Sequence, residues 1–313
     1  MFIFVASYGN EKKIYILSIN KNGKINYIGS KKLKGYPSYI SSYKRKLAIS
    51  MKDINNDGKG GLVICKKNEN LDIIYENLEP TSYTHVFEDS KYILMASYHQ
   101  GLIKIINKKD NSVYIKKYPN GKIHNVGNIC KNKYYGVDLS NGQIYIYTII
   151  KGRFIESQSI ILENNINPRH LICTNHGKNL YVVSENTSEI LVYSMKDDGK
   201  YSKIQSISTI IKSNNSNMAS AIRRFKKYIF VSNRGEDTIS LFIIEKDGRL
   251  RMLRQINTTG ECPRDFNVSR NGKYLIVANE DSDNIKSFFV DYKNKKIILK
   301  DSFDIDKPVC IEM

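Results

Sequence analysis

The sequence predicts an all-β fold, a seven-bladed β-propeller of four-stranded antiparallel blades, on three observations. Short apolar strands end alike along the whole chain: FVASY at Tyr8, LAISM at Met51, LMASY at Tyr98, YGVDL at Leu139, YVVSE at Glu185, FVSNR at Arg234 and IVANE at Glu280. The endings recur every 41 to 49 residues, each with a small or polar penultimate residue: Ser7, Ser50, Ser97, Asp138, Ser184, Asn233 or Asn279. Self-similarity at that period, with several strands per unit, is the mark of propeller blades stacked on their neighbours. The third observation lies at the ends. The chain opens on a second-strand pattern, FIFVASY, and closes on PVCIEM (308–313), which reads as a lone first strand. The two predict one composite blade that closes the ring and removes its open edges. Residues 1–313 are expected to form a single propeller domain.

Blade five shows the expected element order. RHLICT (169–174) turns at Asn175-His176-Gly177 into LYVVSE (180–185); EILVYSM (189–195) follows, then a DDGK hairpin and the outer strand YSKIQSIST. Alternating apolar residues joined by short Gly-containing turns are meander signals. The same turn chemistry recurs at Asn22-Gly23, Gly152, Asp198-Gly199 and Asp247-Gly248.

Composition excludes several classes. There is no Trp, against a WD-type propeller with its Trp-Asp signature. Five scattered cysteines without a Cys-x-x-Cys pair make neither a disulfide framework nor a zinc site. No apolar run reaches a membrane span of roughly 18 residues, and MFIFVASYGN lacks a basic flank or cleavage-like site, so a cytoplasmic location is expected. The net charge of +18 comes from 38 Lys against 11 Arg, spread through turns such as KKNEN and NKKDN. Diffuse Lys solubilises and attracts anions non-specifically; no nucleic-acid or membrane partner is expected. No Gly-rich phosphate loop and no Gly-x-Ser-x-Gly elbow appears.

Hairpin geometry selects one face of the disc. The start of a first strand and the end of its second strand share an edge, so those positions from all blades meet around one channel mouth. Strand starts give Pro37 and Ser38, His85, His124, Arg169, Ala219 and Ser220, Arg264 and Pro308. Strand ends give Tyr8, Met51, Tyr98, Leu139 after Asp138, Glu185, Arg234 and Glu280. Three of the 11 Arg and two of the five His fall in this set. Convergent His, Arg and Glu in a concave site suit an anionic substrate and acid–base chemistry, although an Arg169–Glu185 pair also serves a hairpin structurally. His170 is expected to turn into the sheet packing, and His99 and His176 to be solvent groups.

On these residues the chain resembles the seven-bladed propeller lactonases, typified by 6-phosphogluconolactonases and related to fungal carboxymuconate cyclases. The stretches that carry the resemblance are NPRHLICTNHGKNLYVVSEN (167–186), ASAIRRFKKYIFVSNRGEDTISLF (219–242) and PRDFNVSRNGKYLIVANEDSDNI (263–285), with IHNVGNICKNKYYGVDL (123–139) a looser match. The family's catalytic set would fall on His124, Arg169, Glu185 and Arg234. The chain departs from the pattern at Lys122, Asn167 and Ala221, where the family commonly has His, Gly and an acidic residue. The resemblance implies a metal-independent, cofactor-free hydrolase of a small anionic lactone, 6-phosphoglucono-1,5-lactone in the pentose phosphate pathway. His124 is then the acid or base, Glu185 its partner, and Arg169 and Arg234 the oxyanion and phosphate ligands. Arg264, His85, Tyr98 and Asp138 complete the substrate wall. The same residues leave open a lactonase or cycloisomerase for another carboxylated sugar or muconate-like acid, or a non-catalytic scaffold.

Overall fold

A computed structural model describes the chain except residues 53–58, 151–152 and 213–215 and the Asn175 side chain. The Gly152 turn lies outside the described residues. Seven four-stranded antiparallel sheets are arranged as blades around a channel. The first strands line it: Pro308–Glu312, Tyr36–Tyr43, His85–Glu88, Ile123–Cys130, Pro168–Cys173, Met218–Phe225 and Pro263–Val268. Among the described residues no helix is long and apolar enough to cross a membrane.

Strand alternation builds the core. Along Phe2–Ser7 side chains point alternately to the two faces of the sheet: Phe4 and Ala6 pack with Ile40, Leu47 and Ile49 of blade two, while Ile3 and Val5 pack with Tyr274, Ile276 and Ala278 of blade seven. Each blade therefore shares a buried apolar layer with both neighbours, and outer strands such as Val113–Lys117 face solvent. Blade one closes as its split repeat predicts. Phe4, Val5 and Ala6 pair with Glu312, Ile311 and Cys310, and the Tyr8 N–H donates to the Lys307 carbonyl at 2.9 Å.

The penultimate residues owe their polarity to the turns rather than to the channel. Ser97 Oγ donates to the Ser82 carbonyl at 2.7 Å, and Asn233 Nδ2 donates to Thr209 O and Thr238 Oγ1. Asp138, expected in the substrate wall, belongs to this set. It is wholly buried and accepts from the N–H groups of Lys122 and Asn141, the Asn141 amide and the Tyr145 hydroxyl. A carboxylate with those donors is a loop clasp, so Asp138 is removed from the site.

Candidate active site

The first strands enter the channel through β-bulges. Pro168 faces Ser184 and His170 faces Val183, so Arg169 is an extra residue with no partner in the ladder. The same irregularity frees Ser38 between Pro37 and Tyr39, His124 between Ile123 and Asn125, and Arg264 between Pro263 and Asp265. In blade one the shift leaves Val309 between Pro308 and Cys310. A bulge re-aims side chains, and here two consecutive residues reach the channel. Ser38 with Tyr39, Arg169 with His170 and Arg264 with Asp265 line one cavity of about 30 Å³, together with Tyr8, Thr84, His124 and Val309.

His170 is thus corrected: its ring lies in the channel, not in the sheet packing. It is buried, 5.1 Å from the His124 ring and 5.8 Å from His85, and its Nε2 accepts from Arg169 Nη1 at 3.2 Å. His85 is also corrected. It faces Ala96 as His170 faces Val183, which puts it one layer below the mouth, and Thr84 takes the place beside His124. There its ring lies tilted against Tyr39, the centroids 3.8 Å apart. Asn125 Oδ1 accepts from the Leu171 N–H, so its Nδ2 donates to His85 Nε2 at 2.8 Å and the imidazole proton is assigned to Nδ1. Arg223 reaches Tyr39 Oη at 3.0 Å and Asp265 at 2.7 Å and completes this floor. Beyond the floor a second cavity of about 360 Å³ opens, lined among others by Ser41, Phe87, Ile172 and Glu312.

Around the mouth, Glu185 is the hub. Its Oε1 bonds Arg234 Nη2 and lies 3.6 Å from Arg169 Nε. Burial raises the Glu185 pKa, but Arg169 and Arg234 outweigh it and hold the carboxyl below its ordinary value. Sequence reasoning paired Glu185 with His124; the structure gives it to the two guanidiniums. Arg169 also donates to the Ser220 carbonyl at 2.8 Å, and burial with the nearby Arg234 lowers its pKa, although a guanidinium keeps its charge across the accessible pH range. Arg264 is paired with Glu280 at 2.7 Å. Tyr98 is half-buried, its ring 6.1 Å from His124 and capped by Lys122 at 5.3 Å. Burial, then Arg169 and Arg264, push the His124 pKa well below its usual value, so this imidazole is neutral at physiological pH.

One strand end read from the sequence is not at the mouth. Leu139 holds the register position of Glu185, since Asp138 faces Ile123 as Ser184 faces Pro168, but Met51 packs in the core between blades one and two. Met51 faces Pro37 as Ser184 faces Pro168, so the counterpart of Glu185 is the next residue, Lys52. Lys52 was missed because the apolar Met51 extends its strand by one residue. The pairing with Pro37 is the signal that finds it.

Removing the hub should be felt in stability. Glu185→Gln leaves Arg169 and Arg234, both largely buried, without a carboxylate. A buried pair broken on one side costs roughly 3–5 kcal/mol. Glu185 is partly exposed, so a loss of about 3 kcal/mol is expected, with partial recovery in phosphate buffer. Thermal melts with and without phosphate check this; an unchanged melting temperature would show that the arginines do not depend on Glu185.

The geometry can now be set beside known proteins. The chain matches the family described as "Lactonase, 7-bladed beta-propeller" over residues 2–313. It is 24% identical to a 6-phosphogluconolactonase of Bacillus subtilis, covering 99% of this chain and 97% of that protein. It is 27% identical to a Staphylococcus epidermidis protein of uncharacterized function, covering 98% of each. The fold is shared with a Lactobacillus plantarum protein (TM-score 0.89, 22% identity, 100% and 99% coverage) and with the periplasmic gluconolactonase of Pseudomonas aeruginosa (TM-score 0.88, 18% identity, 99% and 98% coverage). With one model spanning all seven blades, the chain belongs to the seven-bladed β-propeller lactonase family.

Proposed function

We propose that the protein hydrolyses 6-phosphoglucono-1,5-lactone to 6-phosphogluconate, in the cytoplasm and without a metal. One observation carries this reading: Arg169 Nε, Arg234 Nε and His124 Nδ1 are buried at the mouth without a hydrogen-bond partner, around a carboxylate already committed to the arginines. Buried polar nitrogens left unpaired are costly: the two guanidinium N–H groups lack a ligand oxygen, and the imidazole nitrogen lacks a water or hydroxyl partner. The similarity to the B. subtilis enzyme supplies the substrate.

Hydrolysis of a lactone needs an activated water, a stabilised oxyanion and a proton for the departing ring oxygen. Neutral His124 takes the proton from a water; the cavity of about 30 Å³ beside it has room for about one. Arg169 and Arg234, oriented by Glu185, face the carbonyl oxygen as it gains charge. The imidazolium formed at His124 then returns its proton to the ring oxygen. It is a strong acid there, because the site that depresses its pKa disfavours the charged ring. Arginine charge takes the place of a metal in this scheme. The cluster Cys262, Glu280 and Asp281 is a poor cation site, since Arg264 already occupies Glu280.

The decisive assay is hydrolysis of freshly made phosphogluconolactone above its spontaneous rate, with and without chelator. No acceleration overturns the reading; chelator-sensitive activity restored by a divalent ion overturns metal independence. The pH profile provides a second check. His124 must be neutral to act, and its pKa in the folded protein lies well below 6.5. The acid limb of kcat/KM is therefore expected well below pH 6.5, and a limb at or above that value would contradict the assigned base. Stability follows a related rule. His85, His124 and His170 are all held neutral by burial and neighbouring arginines. Below about pH 6.5 the unfolded chain binds more protons than the folded one, so stability is full above that pH and falls with acid.

A further inference from the structure

Two cations lie against the Tyr8 ring. Lys52 Nζ lies 4.1 Å from its ring centroid and the Arg264 guanidinium carbon 5.5 Å from it. The two come from different blades, Lys52 from the end of a second strand and Arg264 from a bulge, and Tyr8 from the blade between them. Their charges are not equally balanced. Glu280 takes Arg264 at 2.7 Å, whereas among the described residues no carboxylate lies within ion-pair distance of Lys52. Lys52 is nonetheless partly buried, at the edge of the channel mouth. Among the described residues, the buried and half-buried charges at the mouth are Arg169, Arg234, Arg264 and Lys52 against Glu185 and Glu280, with Arg223 and Asp265 paired below them, which leaves a surplus of two positive charges.

We propose that Lys52 and Arg264, both against the Tyr8 ring, form a subsite for a phosphomonoester dianion, and that Lys52 is the residue that makes the site prefer a phosphorylated substrate. The inference rests on the lactonase reading for the remainder of the ligand. A doubly charged group neutralises the surplus, which a single carboxylate does not. An Arg fork beside a Lys point charge suits tetrahedral phosphate oxygens, and both cations are attracted to the Tyr8 ring, which limits their contact with water. Lys52 extends the wall on the side away from Glu185, so the ester end and the lactone end of one small molecule are bound by different blades.

Among the described residues, the groups facing Lys52 are Tyr8, Arg264 and Glu280. Burial and Arg264, against Glu280, push its amine down to about 8. A phosphate monoester loses its second proton near about pH 6. Affinity for the dianion is therefore expected to be highest between these values and to fall as Lys52 deprotonates.

The test is calorimetric titration of wild type, Lys52→Met and Lys52→Arg with inorganic phosphate, 6-phosphogluconate and gluconate, at about pH 7 and about pH 9.5. At the lower pH, Lys52→Met should weaken phosphate and 6-phosphogluconate by about 10- to 100-fold and gluconate by much less. Wild type should lose affinity for 6-phosphogluconate at the higher pH, while Lys52→Arg, whose charge does not titrate there, should keep it. Thermal melts confirm that each variant is folded. Equal weakening of 6-phosphogluconate and gluconate, no weakening of either, or no binding of phosphate compounds by wild type would overturn the subsite. Lys52-dependent phosphate binding without hydrolysis of any lactone would defeat the lactonase reading and leave the subsite standing. Hydrolysis of phosphogluconolactone with binding indifferent to Lys52 would do the reverse.

Discussion

A chain cut after Lys307 is expected to lose its cooperative fold. Residues 308–313 supply the channel-lining strand of blade one, with Val309, Cys310, Ile311 and Met313 buried in the layers shared with blades two and seven. Burying a side chain of the Val, Ile or Met class contributes about 1.5–3 kcal/mol. Three such residues are therefore worth on the order of 5–9 kcal/mol, a large part of a typical total of about 5–15. Further losses follow. The Asp265 carboxylate accepts from the Ile311 N–H and the Ile40 N–H donates to Cys310 Sγ, so Asp265 and Ile40 would lose partners inside the channel wall. Phe2–Ser7 would become an open edge, prone to pair with other chains. Circular dichroism melts and gel filtration of the truncated protein should show a melting transition lowered by tens of degrees or abolished, with aggregation. A synthetic peptide of residues 308–313 should partly restore it. A truncated chain that melts like the full one would mean that the ring is held by blade-to-blade packing alone.

That closure was legible in the sequence for a simple reason. A blade whose first strand is missing at one end of the chain and present at the other leaves two unequal fragments, and each has the hydrophobic pattern of its type. The blade period was legible for the same reason: alternation fixes which residues enter the shared layers, and the layers demand apolar side chains in every blade. The site was readable only in part. Reading strand starts and strand ends as one edge brought Arg169, Glu185, Arg234, Arg264 and Tyr98 near one mouth, but it treated every first strand as regular. A bulge is a property of the backbone, and it shifts the alternation by one residue. For that reason His170 was assigned to the wrong face; His85 was assigned to the wrong layer because Thr84, not His85, holds the mouth position of its strand. A signal was present. Pro37, Pro168, Pro263 and Pro308 each stand immediately before the extra residue. Proline cannot donate to a ladder and within sheets is confined to edges, strand starts and bulges. Asp138 misled for the opposite reason: a polar residue at a conspicuous position was read as functional when four hydrogen bonds from Lys122, Asn141 and Tyr145 of its own blade account for it.

The substitution expected to cost most in catalysis is Arg169→Lys. The charge is kept, so any loss measures the planar fork. In the structure that fork is divided. One Nη donates to the Ser220 carbonyl and to His170, which fixes the plane of the guanidinium, and Nε faces the mouth beside Glu185 without a hydrogen-bond partner. A single ammonium cannot hold the wall and face the carbonyl oxygen at once. Loss of one preorganised oxyanion donor typically lowers the rate by about 10²–10³, roughly 3–4 kcal/mol of barrier. Because the interaction strengthens only as charge develops, kcat and kcat/KM should fall together with little change in KM. The lysine should also leave a signature in the pH profile. Burial disfavours its charged form, so an alkaline limb should appear that wild type lacks, since a guanidinium stays charged throughout the accessible range. Steady-state kinetics of both proteins on phosphogluconolactone, across pH and beside thermal melts, separates this from a folding defect. A variant within about threefold of wild type would remove Arg169 from the oxyanion site. A fall in kcat without the alkaline limb would mean that the lysine stays charged and that geometry alone sets the loss.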